Sequence, residues 1–180
     1  MPRLPSAANS CIRTAAVADV PAMASLVSAY WQFEGIESVA AATVAGQLQR
    51  LIEDERLGAA WVAEVDGCLV GYLLAVYVFS LEHGGLTAEI DELYVAPQRR
   101  GGRLGAALLA AAERGAMQAG CTNLSLQLAR GNNAARAFYR RQGFVERAGY
   151  ELMEKTLTEE SHSPRPGEFD DAGNPSDSTS

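Results

Sequence analysis

The sequence predicts an α/β fold: one mixed, mostly antiparallel, twisted sheet with helices on both faces. Three observations point there. Two apolar runs, 60–65 and 68–79, meet at Asp66-Gly67, a two-residue hairpin signal. A third run, 87–95, follows the turn Glu82-His83-Gly84-Gly85 and is stopped by Pro97. Segments with apolar residues at helical spacing stand before and after this meander.

Taken in order, Asp19 is placed to cap a first helix, with Pro21 in its first turn and Met23, Leu26, Val27 and Tyr30 on one face. The pattern breaks around Gly35. A second helix is predicted over 39–56, with Val44, Leu48, Leu51 and Ile52 together. After the three strands, Leu104, Leu108, Ala111 and Ala112 mark a long Ala-rich helix, and Gly120 stands where a C-terminal cap is expected. Leu124, Leu126 and Leu128 alternate as in a strand. Asn132 or Asn133 caps a short helix ending at Gly143, and 144–145 with 150–157 read as two last strands closing the sheet.

The organisation follows from composition. Residues 1–10 are expected to be flexible, 11–157 to fold as one domain, and 158–180 to be a disordered acidic tail. The tail is almost free of large apolar groups, so burial cannot offset its ordering entropy. At 180 residues and 48% hydrophobic composition, the chain can bury one core. Of the net charge of −7, the stretch 158–180 carries −5, from six acids and one base, leaving −2 elsewhere. An acidic chain argues against nucleic acid as a partner. No stretch reaches the roughly 20 apolar residues of a membrane span, and the first twenty residues do not resemble a signal sequence. Cys11, Cys68 and Cys121 lack ligand-like spacing and are read as reduced thiols, with no metal site. The expected location is the cytoplasm.

Chemistry first enters at the start of the Ala-rich helix. Strand 87–95 runs through Pro97, Arg99 and Arg100 into Gly101-Gly102-Arg103-Leu104-Gly105. The first amides of a helix lack intrahelical partners and face outward along the positive end of its dipole. Glycines let an anion approach the backbone, and three arginines add charge. The spacing is not a P-loop, which ends in Gly-Lys-Ser/Thr, nor a dinucleotide fingerprint, which opens a parallel βαβ unit.

Two motifs carry a resemblance. Val95-x-Pro97-x-x-Arg100-Gly101 followed by Leu104-Gly105 resembles the acetyl-CoA signature of the GNAT superfamily of N-acetyltransferases. Asn132-x-x-Ala135-x-x-Phe138-Tyr139-x-x-x-Gly143-Phe144 resembles the second signature of that superfamily. Arg103 departs from the pattern, standing at its first glycine position. The backbone N–H is retained there, and a guanidinium can itself pair with phosphate.

The resemblance implies a single-domain acetyltransferase fold over residues 11–157, with acetyl-CoA as cosubstrate. The amides of Arg100, Gly101, Gly102, Arg103, Leu104, Gly105 and Ala106 would hold the pyrophosphate. Leu93, Tyr94 and Val95 would pair with the pantetheine arm as if it were an added strand, in a slot where two strands splay at a bulge. The Val95 N–H would face the thioester carbonyl. Asn132 and Ala135 would meet the arm from the next element. Tyr139 occupies the general-acid position, since a phenol stays protonated at neutral pH.

The acceptor amine must also lose a proton. Glu89, Asp91 and Glu92 cluster on the strand beside the thioester, and Glu92 is the expected base, directly or through water. Strict alternation puts Asp91 and Glu92 on opposite faces, and a bulge would change that, so Asp91 and bulk water stay open. Tyr30, Trp31 and Glu34, with Asp91, would form the acceptor site, where aromatics and acids suit a cationic amine. The expected partner is a small-molecule amine, with homodimerisation left open and no membrane. Acetylation of a protein N-terminus or lysine, or a non-catalytic acetyl-CoA-binding regulatory module, are the competing readings.

Overall fold

The structure, a computed structural model, describes residues 9–157 except 38 and 148. Most of the N-terminal stretch 1–10 and the whole acidic tail 158–180 therefore lie outside the described residues. The chain divides after Gly143 into two units, described separately below.

The first unit is a five-stranded sheet in the order β1-β2-β3-β4-β5. The strands are β1 (Ser10–Thr14), β2 (Gly58–Val65), β3 (Cys68–Ser80), β4 (Gly85–Val95) and β5 (Leu124–Leu126). The first four pair antiparallel, and β4 with β5 parallel, so the sheet is mixed as expected. Its helices are α1 (Val20–Glu34), α2 (Ala41–Glu53), α3 (Leu104–Gln118) and α4 (Asn133–Arg141). The β2–β3 turn has Asp66 and Gly67 at φ 51° and 80°, the doubly left-handed geometry of the tightest hairpins.

The alternation of β2 sorts the core into two halves. Val62 and Ala60 join Met23, Val27, Val44, Leu48, Tyr72, Leu74 and Tyr94 in one cluster beneath α1 and α2. Trp61 faces the other way and meets α3, whose Leu108, Leu109 and Ala112 are fully buried. Helices therefore cover both faces. The contact with α3 is close: a Cβ at Gly115 would lie 2.3 Å from Trp61 Cζ2. A glycine in mid-helix costs about 1 kcal/mol relative to alanine, and here it lets a buried indole reach the helix backbone.

Three expectations are corrected. Strand β1 does not stand out in the sequence, because its five residues gain order only by pairing with β2 some fifty residues on; even Ser10, expected to be flexible, pairs with Val65. Asp19 stands at the α1 N-cap, but its carboxylate makes no cap bond to that helix. It accepts instead from the Ala16 N–H at 2.8 Å and from Arg13 at 2.6 and 2.9 Å, while Arg13 also reaches Glu64 at 3.1 Å. The two closing strands do not form: the described residues of the second unit, 144–157, contain neither helix nor strand. Gly149 turns left-handed at φ 93°, and Val145, Tyr150, Leu152, Met153 and Leu157 are all exposed, so the apolar pattern there is not matched by burial.

Gly115→Val is expected to lower unfolding free energy by about 1–3 kcal/mol through overpacking against Trp61, read from urea unfolding midpoints. Unchanged or higher stability would contradict the close approach.

Candidate active site

The site begins with an irregularity between β3 and β4. Leu74 pairs with Glu92 and Ala75 with Ile90, so Asp91 is an extra residue without an opposite number. Such a bulge resets the alternation of everything that follows it. Two consequences follow.

First, the outer edge of β4 is open beyond this point. Its pairing with β5 ends at Ile90 and Leu126. The Ala96 N–H donates to Val70 O of β3 at 2.8 Å. Backbone groups alternate sides along an antiparallel strand, so those of Val95, and of Leu93 two residues earlier, point away from β3. Arg100 agrees with this geometry: its Nε donates to the outward Val95 O at 2.9 Å. Among the described residues the backbone N–H and C=O of Leu93 and the N–H of Val95 thus face the splay without a partner, while Tyr94 turns its ring into the core.

Second, Asp91 and Glu92 both line one pocket of about 530 Å³ between α1, α2 and the sheet, against strict alternation. Its walls are largely apolar, including Val27, Leu48, Leu74 and Val76, and Trp31 borders it. Trp31 Nε1 donates to Glu92 Oε1 at 2.5 Å, and Tyr72 Oη donates to Oε2 at 2.6 Å. Each carboxylate oxygen keeps a further lone pair. Burial pushes the Glu92 pKa up; the two hydrogen bonds pull it back, Asp91 adds to the rise, and the net direction is upward. Asp91 is exposed at the pocket mouth, and its pKa is raised by desolvation and by the charge of Glu89. Glu89 itself accepts from Gln127 at 2.8 Å and does not line the pocket.

The segment expected to cradle an anion lies past Pro97. The Arg100 N–H, expected to belong to it, already donates to Pro97 O at 3.2 Å in a single 3₁₀ turn. From Gly101, with φ 79°, to Ala106, no amide among the described residues donates to a backbone carbonyl. Gly101, Gly102, Arg103, Leu104, Gly105 and Ala106 therefore retain the free donors that phosphate needs. Arg103 takes the α3 N-cap position without a side-chain cap bond. Arg100 folds over the Phe33 and Tyr94 rings, 4.7 and 5.6 Å from their centroids, which anchors the loop to α1 and β4.

Helix α4 closes the other side. Asn132 Oδ1 accepts from the Ala135 N–H at 3.1 Å, so both groups are used to start the helix, and the Asn132 amide donors remain for a ligand. Phe138 approaches Gly105 at the α3 start, where a Cβ would lie 3.7 Å from its ring. Phe138 also meets the Tyr139 ring edge-on at 5.0 Å. Burial, helped by the nearby Tyr30 hydroxyl, pushes the Tyr139 pKa up to about 12. Tyr30 is itself raised, by burial and then by the charges of Glu34, Glu92 and Asp91. Tyr30 is therefore within electrostatic reach of both the carboxylates and Tyr139. Its ring meets that of Tyr94 at a tilt of 46°, with centroids 5.7 Å apart, rather than lining the pocket, and Glu34 is exposed at the end of α1.

The match to the Acetyltransferase (GNAT) family model runs over residues 21–144, well over half the chain. The chain belongs to the GNAT family. The chain is 41% identical over 83 residues to the aminoalkylphosphonate N-acetyltransferase of Salmonella typhimurium, a stretch covering 45% of this chain. It spans about half, 53%, of the length of that curated relative. Among solved structures, an integron cassette protein from the mobile metagenome of Cole Harbour Salt Marsh superposes with TM-score 0.72 at 30% identity, over 82% of this chain and 90% of that one. An aminoglycoside N-acetyltransferase in complex with CoA shares the fold at TM-score 0.75 and 16% identity, over 86% of this chain and 100% of that one.

Sequence reasoning missed Tyr72, Gln47 and Arg50. Tyr72 reads as an ordinary core residue of an apolar strand, and only the fold sets its hydroxyl against Glu92.

With Glu92 as the proposed base, the acid limb of the kcat–pH profile in an acetylation assay should lie above the ordinary carboxylate range, because its pKa is raised. Glu92→Gln should remove that limb and lower kcat by about 10²- to 10⁴-fold. A limb that survives the substitution would assign the proton to another group.

Proposed function

We propose that this protein transfers an acetyl group from acetyl-CoA directly to the primary amine of a small molecule. The observation that carries the reading is the bulge at Asp91, which opens the β4 edge on one side and a carboxylate-lined pocket on the other. The residues present suit acetyl-CoA: free amides from Gly101 to Ala106 suit a pyrophosphate, and the edge groups of Leu93 and Val95 suit the amides of pantetheine.

Glu92 accepts the proton of the bound ammonium, whose nitrogen has no lone pair until then. Its raised pKa brings it closer to neutrality, where a base is most effective. Val95 N–H points at the carbonyl oxygen that gains charge as the amine attacks. Tyr139 stays protonated across the neutral range and gives a proton to the sulfur as the carbon–sulfur bond breaks, and the second proton shed by the acylated nitrogen restores the phenol. Asp91, at the mouth, attracts the cation before it is deprotonated. A pocket of about 530 Å³ is of small-molecule size, and a relative whose name specifies an aminoalkylphosphonate supports the same class of acceptor.

Incubation with acetyl-CoA and a panel of small amines, with free thiol as the readout, should give turnover that Tyr139→Phe reduces in kcat while leaving acetyl-CoA affinity nearly unchanged. Peptides with free N-termini or lysines should react poorly. Tight CoA binding with no turnover on any amine would mark a regulatory module instead.

A further inference from the structure

The acceptor pocket has two poles. Asp91 and Glu92 reach it from the β4 bulge, and Gln47 and Arg50 from α2. Gln47 and Arg50 are three residues apart, so they stand one above the other on the same stripe of the helix. Both are exposed at the rim, while Val44 and Leu48 on the inner stripe are buried. The remaining wall is mostly apolar.

Arg50 makes no ion pair among the described residues. The acid four residues on, Asp54, is held by Arg56 at 2.8 Å. Nor does Arg50 bridge to Asp91 or Glu92 across the pocket, so the two signs of charge are kept apart with space between them. That is a poor site for a polyamine, whose second ammonium would meet a guanidinium. It suits a molecule with an amine at one end and an anion at the other.

We propose that the acceptor is an ω-amino anion, a short aminoalkyl phosphonate or carboxylate. Arg50, helped by the Gln47 amide, binds the anion and so directs the amine to Glu92. A guanidinium offers a planar pair of donors that matches either oxyanion, and it keeps its charge at any working pH. Arg50 is then a specificity-determining residue. This inference rests on the acetyltransferase reading above and adds the substrate class.

The test compares kcat/KM for 3-aminopropylphosphonate, 4-aminobutanoate and n-butylamine, chains of similar length that differ in the anion. The full-length protein, Arg50→Gln and Arg50→Lys are used. The native protein should favour at least one anionic amine over n-butylamine by about 10- to 100-fold, the size of a charge-assisted hydrogen-bond pair. Arg50→Gln should collapse that ratio through KM, and Arg50→Lys should restore part of it. The better of the two anionic substrates distinguishes phosphonate from carboxylate. Turnover of n-butylamine with no preference for an anion, or a ratio identical in the native protein and Arg50→Gln, would overturn this inference and leave the acetyltransferase reading standing. Turnover of some other amine but none of the three would likewise overturn this inference alone, and no turnover of any amine would overturn both.

Discussion

One extra residue in a strand sets up the whole site. With Asp91 inserted opposite no partner, β4 changes phase against β3 between Ile90 and Glu92. Before the bulge, β4 is paired with β3 on one edge and β5 on the other; after it, no strand among the described residues pairs with the outer edge, where only Val95 O is taken, by Arg100. An unpaired strand edge is ordinarily a liability, because it invites pairing with any other extended chain. Here the bare segment is short, is flanked by the Arg100 loop and the start of α3, and offers an added strand only a few groups to pair with. The same phase change delivers two carboxylates to one pocket where a regular strand would deliver one.

The electrostatic arrangement rests on that geometry. Glu92 is buried enough to resist ionisation and hydrogen-bonded enough to stay in place, and the desolvation effect outweighs the donors. Tyr72 holds one oxygen from the sheet and Trp31 the other from α1, so the carboxylate is fixed by two elements of different origin. The Tyr72 hydroxyl is driven well above its ordinary pKa, by burial first and then by the adjacent Glu92, so it remains a donor. Tyr30 lies within reach of both Glu92 and Tyr139, joining the proposed base and acid through an aromatic cluster that also includes Tyr94.

What could be read from the sequence was what local chemistry decides. Asp66-Gly67, Pro97, Gly120 and Asn132 each impose a turn, a stop or a cap on their own neighbours, and each does so in the structure. The motif around Arg100 to Gly105 likewise placed a turn and a helix start, at Gly101 and Leu104, where the structure has them. What could not be read depends on partners distant in sequence. Strand β1 exists because of β2, and the parity of Asp91 and Glu92 is decided by register with Leu74 and Ala75. The hydrogen bonds of Glu92 come from residues 20 and 61 positions away. The strands expected at 144–145 and 150–157 failed in the opposite sense: alternating apolar residues there suggested burial that the chain does not provide.

Whether acetyl-CoA occupies the edge of β4 that β5 leaves unpaired beyond the bulge decides how the site works. Residue-resolved amide hydrogen exchange, with and without saturating acetyl-CoA, measures this at Leu93 and Val95. Strand-like pairing should slow exchange at both amides by roughly tenfold or more, since exchange follows the opening of the hydrogen bonds that protect them. Saturated binding that leaves both amides exchanging at their free rates would place acetyl-CoA elsewhere and contradict the account.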